Sequence, residues 1–213
     1  MADAPQRDGR EPILNLPPLT SALAALLLAI QIVRQFLDAE TDVWLILELG
    51  VVPARFTAGP GLQDLVTLLT YMLLHGGWLH LIFNLVALIA FGSGVERLLG
   101  GARMLFTAVL GGVAGVLLHV LIYPSDTSPL IGASGGLSAL FGRPVFAIAR
   151  RAGGWRRLIS VTAIWLGLNL AFGLVGVPGD ETVEVAWVAH MGGYFAGLAY
   201  GFWLMRNPVG GRR

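Results

Sequence analysis

Apolar runs of about 20 residues recur along this chain, and they constrain its fold more than any other feature. A helix needs about 20 such residues to cross a hydrocarbon core of about 30 Å. The first run is 19–37, with Gln31 and Arg34 near its end. The others are 79–99, 104–123, 134 to about 148, 158–177 and 187–205. Charged residues are only 13% of the chain, against about 25% in a soluble domain, and mean hydropathy is +0.73. The expected class is therefore an all-α membrane protein with six transmembrane helices. The connection 38–79 is too long for a turn, and its apolar stretches 44–52 and 65–74 predict short interfacial or partly embedded helices. No internal repeat or second domain is visible. The expected organisation is a cytoplasmic tail 1–18, a six-span domain 19–205 and a cytoplasmic tail 206–213. The first 18 residues lack the basic, apolar, small-residue order of a cleaved signal, so the first run is expected to be retained.

Charge orients the spans. All fourteen basic side chains are arginine, and net charge is +1, so nothing suggests a nucleic-acid partner. With the N-terminus inside, eleven arginines fall on inner segments and only Arg55 on an outer one. Outer segments carry Asp38, Glu40, Asp42, Glu48, Asp64, Asp126, Asp180, Glu181 and Glu184. That bias predicts both ends in the cytoplasm. The expected setting, from size and the bare six-span plan, is a bacterial inner membrane. Cysteine is absent, which excludes disulfides, thiolate metal sites and a cysteine nucleophile.

The polar residues inside apolar runs carry the chemistry. Ser134 lies where the turn-rich segment 124–129 gives way to an apolar helix, flanked by Gly132 and Gly135. Unpaired N–H groups and the helix dipole favour negative charge at such a joint. The fourth span is short: 135–148 covers about 21 Å, which sinks Ser134 below the outer boundary. His190 lies about 9 Å along a helix from Glu184, at a similar depth. A histidine inside a span marks a functional site by default. It opens a row with Gly193, Gly197 and Gly201, and the fourth span offers Ser134, Ser138 and Gly142 at four-residue spacing. Small faces let membrane helices pack closely, which would bring His190 to Ser134; a glycine packing motif with a histidine at its mouth is the plainer reading. His75, His80 and Asn84 form a second cluster, the last two at i and i+4 on one face. They can serve as oxyanion donors or as half a metal site, but no carboxylate or thiolate completes one and H-E-x-x-H is absent. No metal and no cofactor is expected. His119 is expected to make a structural hydrogen bond. With no Asp or Glu at mid-span, a Ser-His dyad remains, with histidine as base and then acid.

Four motifs together resemble one family. Gly132-Ala133-Ser134-Gly135, the run from Ala189 to Gly197, the run from His75 to Asn84, and Val95-Glu96-Arg97-Leu98-Leu99-Gly100 look like the rhomboid intramembrane serine proteases. Val51-Val52-Pro53-Ala54-Arg55-Phe56 resembles the family's first-loop segment, so the likeness covers about 51–201 in the family's order. It implies a six-span rhomboid fold with an embedded first loop, and cleavage of transmembrane protein substrates in the lipid bilayer near its outer face. By the resemblance Ser134 is the nucleophile and His190 the general base. His80 and Asn84, with the Ser134 N–H, form the oxyanion hole, and His75 supports that loop.

Two positions depart from the family's pattern. Gln63-Asp64 stand about where the family often has Trp-Arg, which leaves the anchoring of the first loop open. Arg143-Pro144 interrupt the fourth span; Arg143 is expected to snorkel inward or to pair with Glu96. Two other classes compete with a protease: an inactive rhomboid-like protein that binds or chaperones membrane helices, and a small transporter or scaffold whose glycines only pack. Loss of Ser134 or His190 would favour the first, and both are present.

Overall fold

Capping chemistry and proline set where the helices begin. In the computed structural model, which describes residues 15–151, 154–175 and 186–207, α1 (Pro18–Arg34) starts on a proline. A first-turn proline lacks only an N–H that would have no helical partner anyway. Asp38 caps α2 (Ala39–Leu49), accepting from Thr41 N at 2.9 Å and Thr41 Oγ1 at 2.8 Å. The bond from the Thr41 N–H, then that from its hydroxyl, hold the Asp38 carboxyl below its usual range. α3 (Pro53–Thr57) again starts on proline. α4 (Leu62–Thr70) begins where Asp64 Oδ2 accepts from Gly61 N at 2.9 Å, and a tight turn Tyr71–Leu73 follows. The apolar stretches 44–52 and 65–74 thus fall within α2 and α4 and the segments after them. The helices start earlier than the apolar residues do because the acidic caps fix their first turns.

The long helices come next. α5 (Trp78–Ala87), a π turn Leu88–Gly92 and α6 (Ser93–Leu99) run on as one 22-residue helix. α7 (Gly101–Ile122) is also 22 residues, and these two are long and apolar enough to cross a membrane. α8 (Ser134–Arg151), α9 (Gly154–Val175) and α10 (Trp187–Arg206) complete the order. Among the described residues there is no sheet; Val51 and Leu130 form a lone antiparallel bridge. The described part is all-helical, as expected. The acidic connection with Asp180, Glu181 and Glu184, and the tails 1–14 and 208–213, lie outside the described residues.

Many large apolar side chains are exposed and several polar ones are buried. Phe83, Val86, Phe106, Leu121 and Ile164 are exposed, whereas Thr20, Gln31, Asn84, Ser93, Thr107 and Asn169 are buried. An apolar exterior of this extent calls for an apolar surrounding. One apolar core joins Leu27, Leu81, Leu88, Val95, Met104, Leu137 and Leu140. A second, of Val51, Tyr71, Val116, Val120, Leu130 and Ala189, lies under the first loop.

Three expectations change. α8 runs 18 residues, through Pro144 and on to Arg151, about 27 Å rather than about 21 Å. Glu96 does not pair with Arg143. Its carboxylate accepts from Leu19 N at 2.9 Å, and from Thr20 N and Thr20 Oγ1, each at 2.7 Å. The proline start of α1 offers no side-chain cap, so the donors of its first turn are met by Glu96. Arg143 instead lies against Gly201 on α10. His119 makes no ring hydrogen bond among the described residues; it leans on Tyr123, with ring centroids 4.9 Å apart, and sits 3.9 Å from Asp126.

Candidate active site

Glycine brings three helices into backbone contact at the site. A Cβ on Gly193 would overlap Gly135 O, one on Gly197 would overlap Ala139 O, and one on Gly142 would overlap Tyr194 O. Gly201 is looser: a Cβ there would stand 3.3 Å from Arg143 O. On α8 the row of closest approach is therefore Gly135, Ala139 and Gly142. Ser138 is buried but turns its hydroxyl to Ser134 O at 2.8 Å. Gly111 and Gly115 on α7 close the junction, against Ala139 and against Ala189 O. Those two escaped the sequence reading, although Gly111-Gly112-Val113-Ala114-Gly115 carries the same small-residue spacing.

Ser134 is the first residue of α8, so its N–H has no carbonyl within the helix to bond. His190 is the fourth residue of α10. A Cβ on Gly135 would stand 3.5 Å from Ala189 O, so the residue after the serine lies against the residue before the histidine. Among the described residues Ser134 Oγ makes no hydrogen bond, and the one bond of the His190 ring is Nδ1 to Asn169 Oδ1 at 2.7 Å. Serine and base in resting sites are often looser than in the reacting complex. Asn169 on α9 was not singled out from the sequence. The sequence shows an amide in an apolar run there, but offers it no partner at helical spacing.

His80 and the serine share Gly132 as a neighbour. Its Nδ1 accepts from Gly76 N at 3.3 Å, which leaves Nε2 to carry the hydrogen in the neutral ring. That Nε2 meets Gly132, where a Cβ would lie 2.8 Å from it and 3.7 Å from Ser134 Oγ. Gly132 also has φ +124°, a left-handed conformation that favours glycine. Its N–H donates to Tyr71 O at 2.9 Å, and Tyr71 Oη donates to Gly112 O at 2.8 Å. Burial pushes the Tyr71 phenol well above its ordinary value, so it stays a donor. Asn84 donates one amide hydrogen to His80 O at 2.8 Å, holding the turn that carries His80, and keeps its second. His75 is buried, edge-on to His80 at 5.1 Å. Burial first, then the neighbouring His80 and Arg34 charges, push it down to about 3.

The first loop is anchored by chemistry of its own. Asp64 pairs with Arg55 at 3.2 Å, Gln63 Nε2 donates to Glu48 O at 2.9 Å, and Arg55 Nη1 donates to Leu47 O at 2.9 Å. Val51 and Leu130 exchange backbone bonds of 3.1 and 2.8 Å, which ties this loop to the strand of chain entering Ser134. Gln63 and Asp64 therefore serve as anchors of the first loop. Among the described residues no cluster of three His, Cys, Asp or Glu suits a metal.

The family model described as Rhomboid domain matches residues 62–207. This chain belongs to the rhomboid family. It is 28% identical over 176 residues to Rhomboid-related protein 2 of Mus musculus, covering 75% of this chain and 55% of that one. It is 30% identical over 150 residues to RHOMBOID-like protein 6, mitochondrial, of Arabidopsis thaliana, covering 68% and 45%. It is 31% identical over 135 residues to Rhomboid protease GluP of Bacillus subtilis, covering 63% and 26%. This rhomboid thus spans about half or less of the length of these curated relatives. Rhomboids are membrane proteins, in keeping with the apolar exterior and the two long apolar helices of this one.

Proposed function

We propose that this rhomboid is an intramembrane serine endopeptidase that cleaves transmembrane segments of other proteins near the outer membrane face. One observation carries the reading. Ser134 Oγ and His80 Nε2 both lie against Gly132, and the residue after Ser134 lies against the residue before His190 where α8 meets α10. In the proposed reaction His190 takes the proton of Ser134 Oγ as that oxygen attacks a peptide carbonyl. The resulting oxyanion accepts from the Ser134 N–H, His80 Nε2–H and the spare Asn84 N–H. His190 then gives its proton to the leaving amine, and a water molecule, activated in the same way, releases the acyl group. The reading needs six spans enclosing a wet cavity that opens outward, with the loop at Gly132 lining it. The arginine bias supports cytoplasmic placement of the segment before α1, in a membrane such as a bacterial inner membrane.

The test is cleavage of a generic transmembrane substrate in reconstituted vesicles. Wild type should cut, and Ser134→Ala and His190→Ala should each lose at least about a thousandfold in kcat. Equal cleavage by all three would overturn the dyad, and absence of cleavage by wild type would favour a non-proteolytic binder of membrane helices. Because the chain has no cysteine, single cysteines placed in the connections and labelled from one side check the span count directly.

A further inference from the structure

Asn169 lies on α9 in an apolar run and is 6% exposed. A buried amide is costly unless both of its ends are bonded. Here both are. Its Nδ2 donates to Trp165 O at 2.9 Å, and its Oδ1 stands 2.7 Å from His190 Nδ1. These two bonds fix each other. Trp165 O is a main-chain carbonyl and only accepts, so the NH2 end of the amide must face it. The end toward His190 is then an oxygen, which also only accepts. His190 Nδ1 must therefore carry the hydrogen, and in a neutral imidazole Nε2 is left with a free lone pair.

We infer that Asn169 is the positioning residue of His190, holding the ring hydrogen on Nδ1 so that Nε2 is the atom that takes the proton of Ser134. The consequence for catalysis rests on the Ser134–His190 reading above; the tautomer assignment does not. Among the described residues the surroundings leave this task to α9. Ser138, one turn after Ser134, spends its hydroxyl on Ser134 O, and His80 uses Nδ1 on Gly76. The contact is also held in register. Thr162, Trp165 and Asn169 share one face of α9, spaced three and four apart. Thr162 Oγ1 bonds Tyr194 Oη at 2.7 Å. Trp165 lies 6.0 Å from the Tyr194 ring at 28°, and 4.7 Å from Phe141. Tyr194 and His190 are one turn apart on α10, so the same two helix faces present both pairs. An amide, unlike a carboxylate, fixes the tautomer without adding charge beside the imidazolium that forms.

The test compares Asn169→Leu, which removes the acceptor at similar volume, with Asn169→Asp, which keeps one. Three quantities are read in the full-length protein: kcat and KM on the vesicle substrate, melting temperature, and the 15N shifts of His190 in histidine-labelled protein. Wild type should show the hydrogen on Nδ1. Asn169→Leu should show a mixture or the Nε2–H form, with kcat down at least about tenfold, KM within about twofold and little change in melting temperature. Asn169→Asp should restore the Nδ1–H form and most of the activity. An Nδ1–H signal unchanged in Asn169→Leu would overturn the inference, as would equal loss of kcat and melting temperature in both variants. If wild type cleaves nothing, the 15N signal still decides the tautomer assignment.

Discussion

At the scale of single residues, the site is a set of polar atoms whose bonding leaves one defined donor or acceptor free. His80 and His190 are mirror cases: one has Nδ1 accepting, the other has Nδ1 donating. His75 has a different part, as a buried ring beneath His80. Its folded value, pushed down to about 3 by burial, lies below the ordinary 6.5. Between those two values the unfolded chain binds a proton on this ring and the folded chain does not. The stabilisation is therefore complete above pH 6.5 and is lost as pH falls toward 3. At pH 4.5 the loss from this one group is at most about 3 kcal/mol. His75→Gln, which cannot titrate, should accordingly show a smaller drop in melting temperature between pH 7 and pH 4.5 than wild type, by several degrees. Identical drops would mean that His75 is not the titrating group. The candidates Ser134, His80, Asn84 and His190 stand out in the sequence because each is a polar side chain in an apolar run with a neighbour at helical spacing. Asn169 and Tyr71 do not, because each bonds a partner more than twenty residues or a whole loop away, and no local spacing reports that.

At the scale of elements, the apolar runs located each long helix to within a few residues. What they missed was register. The serine and glycine row of α8 suggested that Ser134, Ser138 and Gly142 meet α10, whereas Gly135, Ala139 and Gly142 do so. One residue of helix rotation is about 100°, and side-chain spacing cannot resolve which of two adjacent small rows faces a neighbour. The backbone contact itself makes a sharp prediction. Any side chain at Gly197 collides with Ala139 main-chain atoms, its Cα at 2.7 Å, and forces α8 from α10. Gly197→Ala should cost about 1–3 kcal/mol, lowering melting temperature by about 2–12 °C. It should also cut activity by moving His190 relative to Ser134. Gly167, on the open face of α9, has nothing within 4 Å of a Cβ. Gly167→Ala should be neutral or stabilising by up to about 1 kcal/mol, because alanine is the better helix former. Thermal melts and cleavage rates of the two variants side by side check this; equal effects would remove the special status of the α8–α10 contact.

At the scale of the whole molecule, α1 works as a strut fixed at both ends by groups distant in sequence. At its start Glu96 meets the first-turn donors of Leu19 and Thr20. At its end the guanidinium of Arg34 holds Asp42 through two bonds, of 2.7 and 3.0 Å, and donates to the carbonyl of His75. The helix is 17 residues, about 25 Å, so the two clamps are too far apart to share partners. Only the second one touches the site, through the segment that carries His75 into His80. Glu96→Gln should remove part of the cap and cost about 1–2 kcal/mol of stability with kcat unchanged. Arg34→Met should leave the buried His75 carbonyl and the Asp42 carboxylate without their partner. It should cost about 1–3 kcal/mol, less than a fully buried pair would because Asp42 is 29% exposed. It should also lower kcat by loosening the support of His80. The double variant should lose the sum of the two stabilities to within about 0.5 kcal/mol, as sites this far apart do, and should have the kcat of Arg34→Met alone. Denaturation in detergent and cleavage in vesicles measure both quantities. Coupling well above 0.5 kcal/mol, or a fall in kcat on Glu96→Gln, would show that α1 carries strain from one end to the other and would sink the picture of two independent clamps.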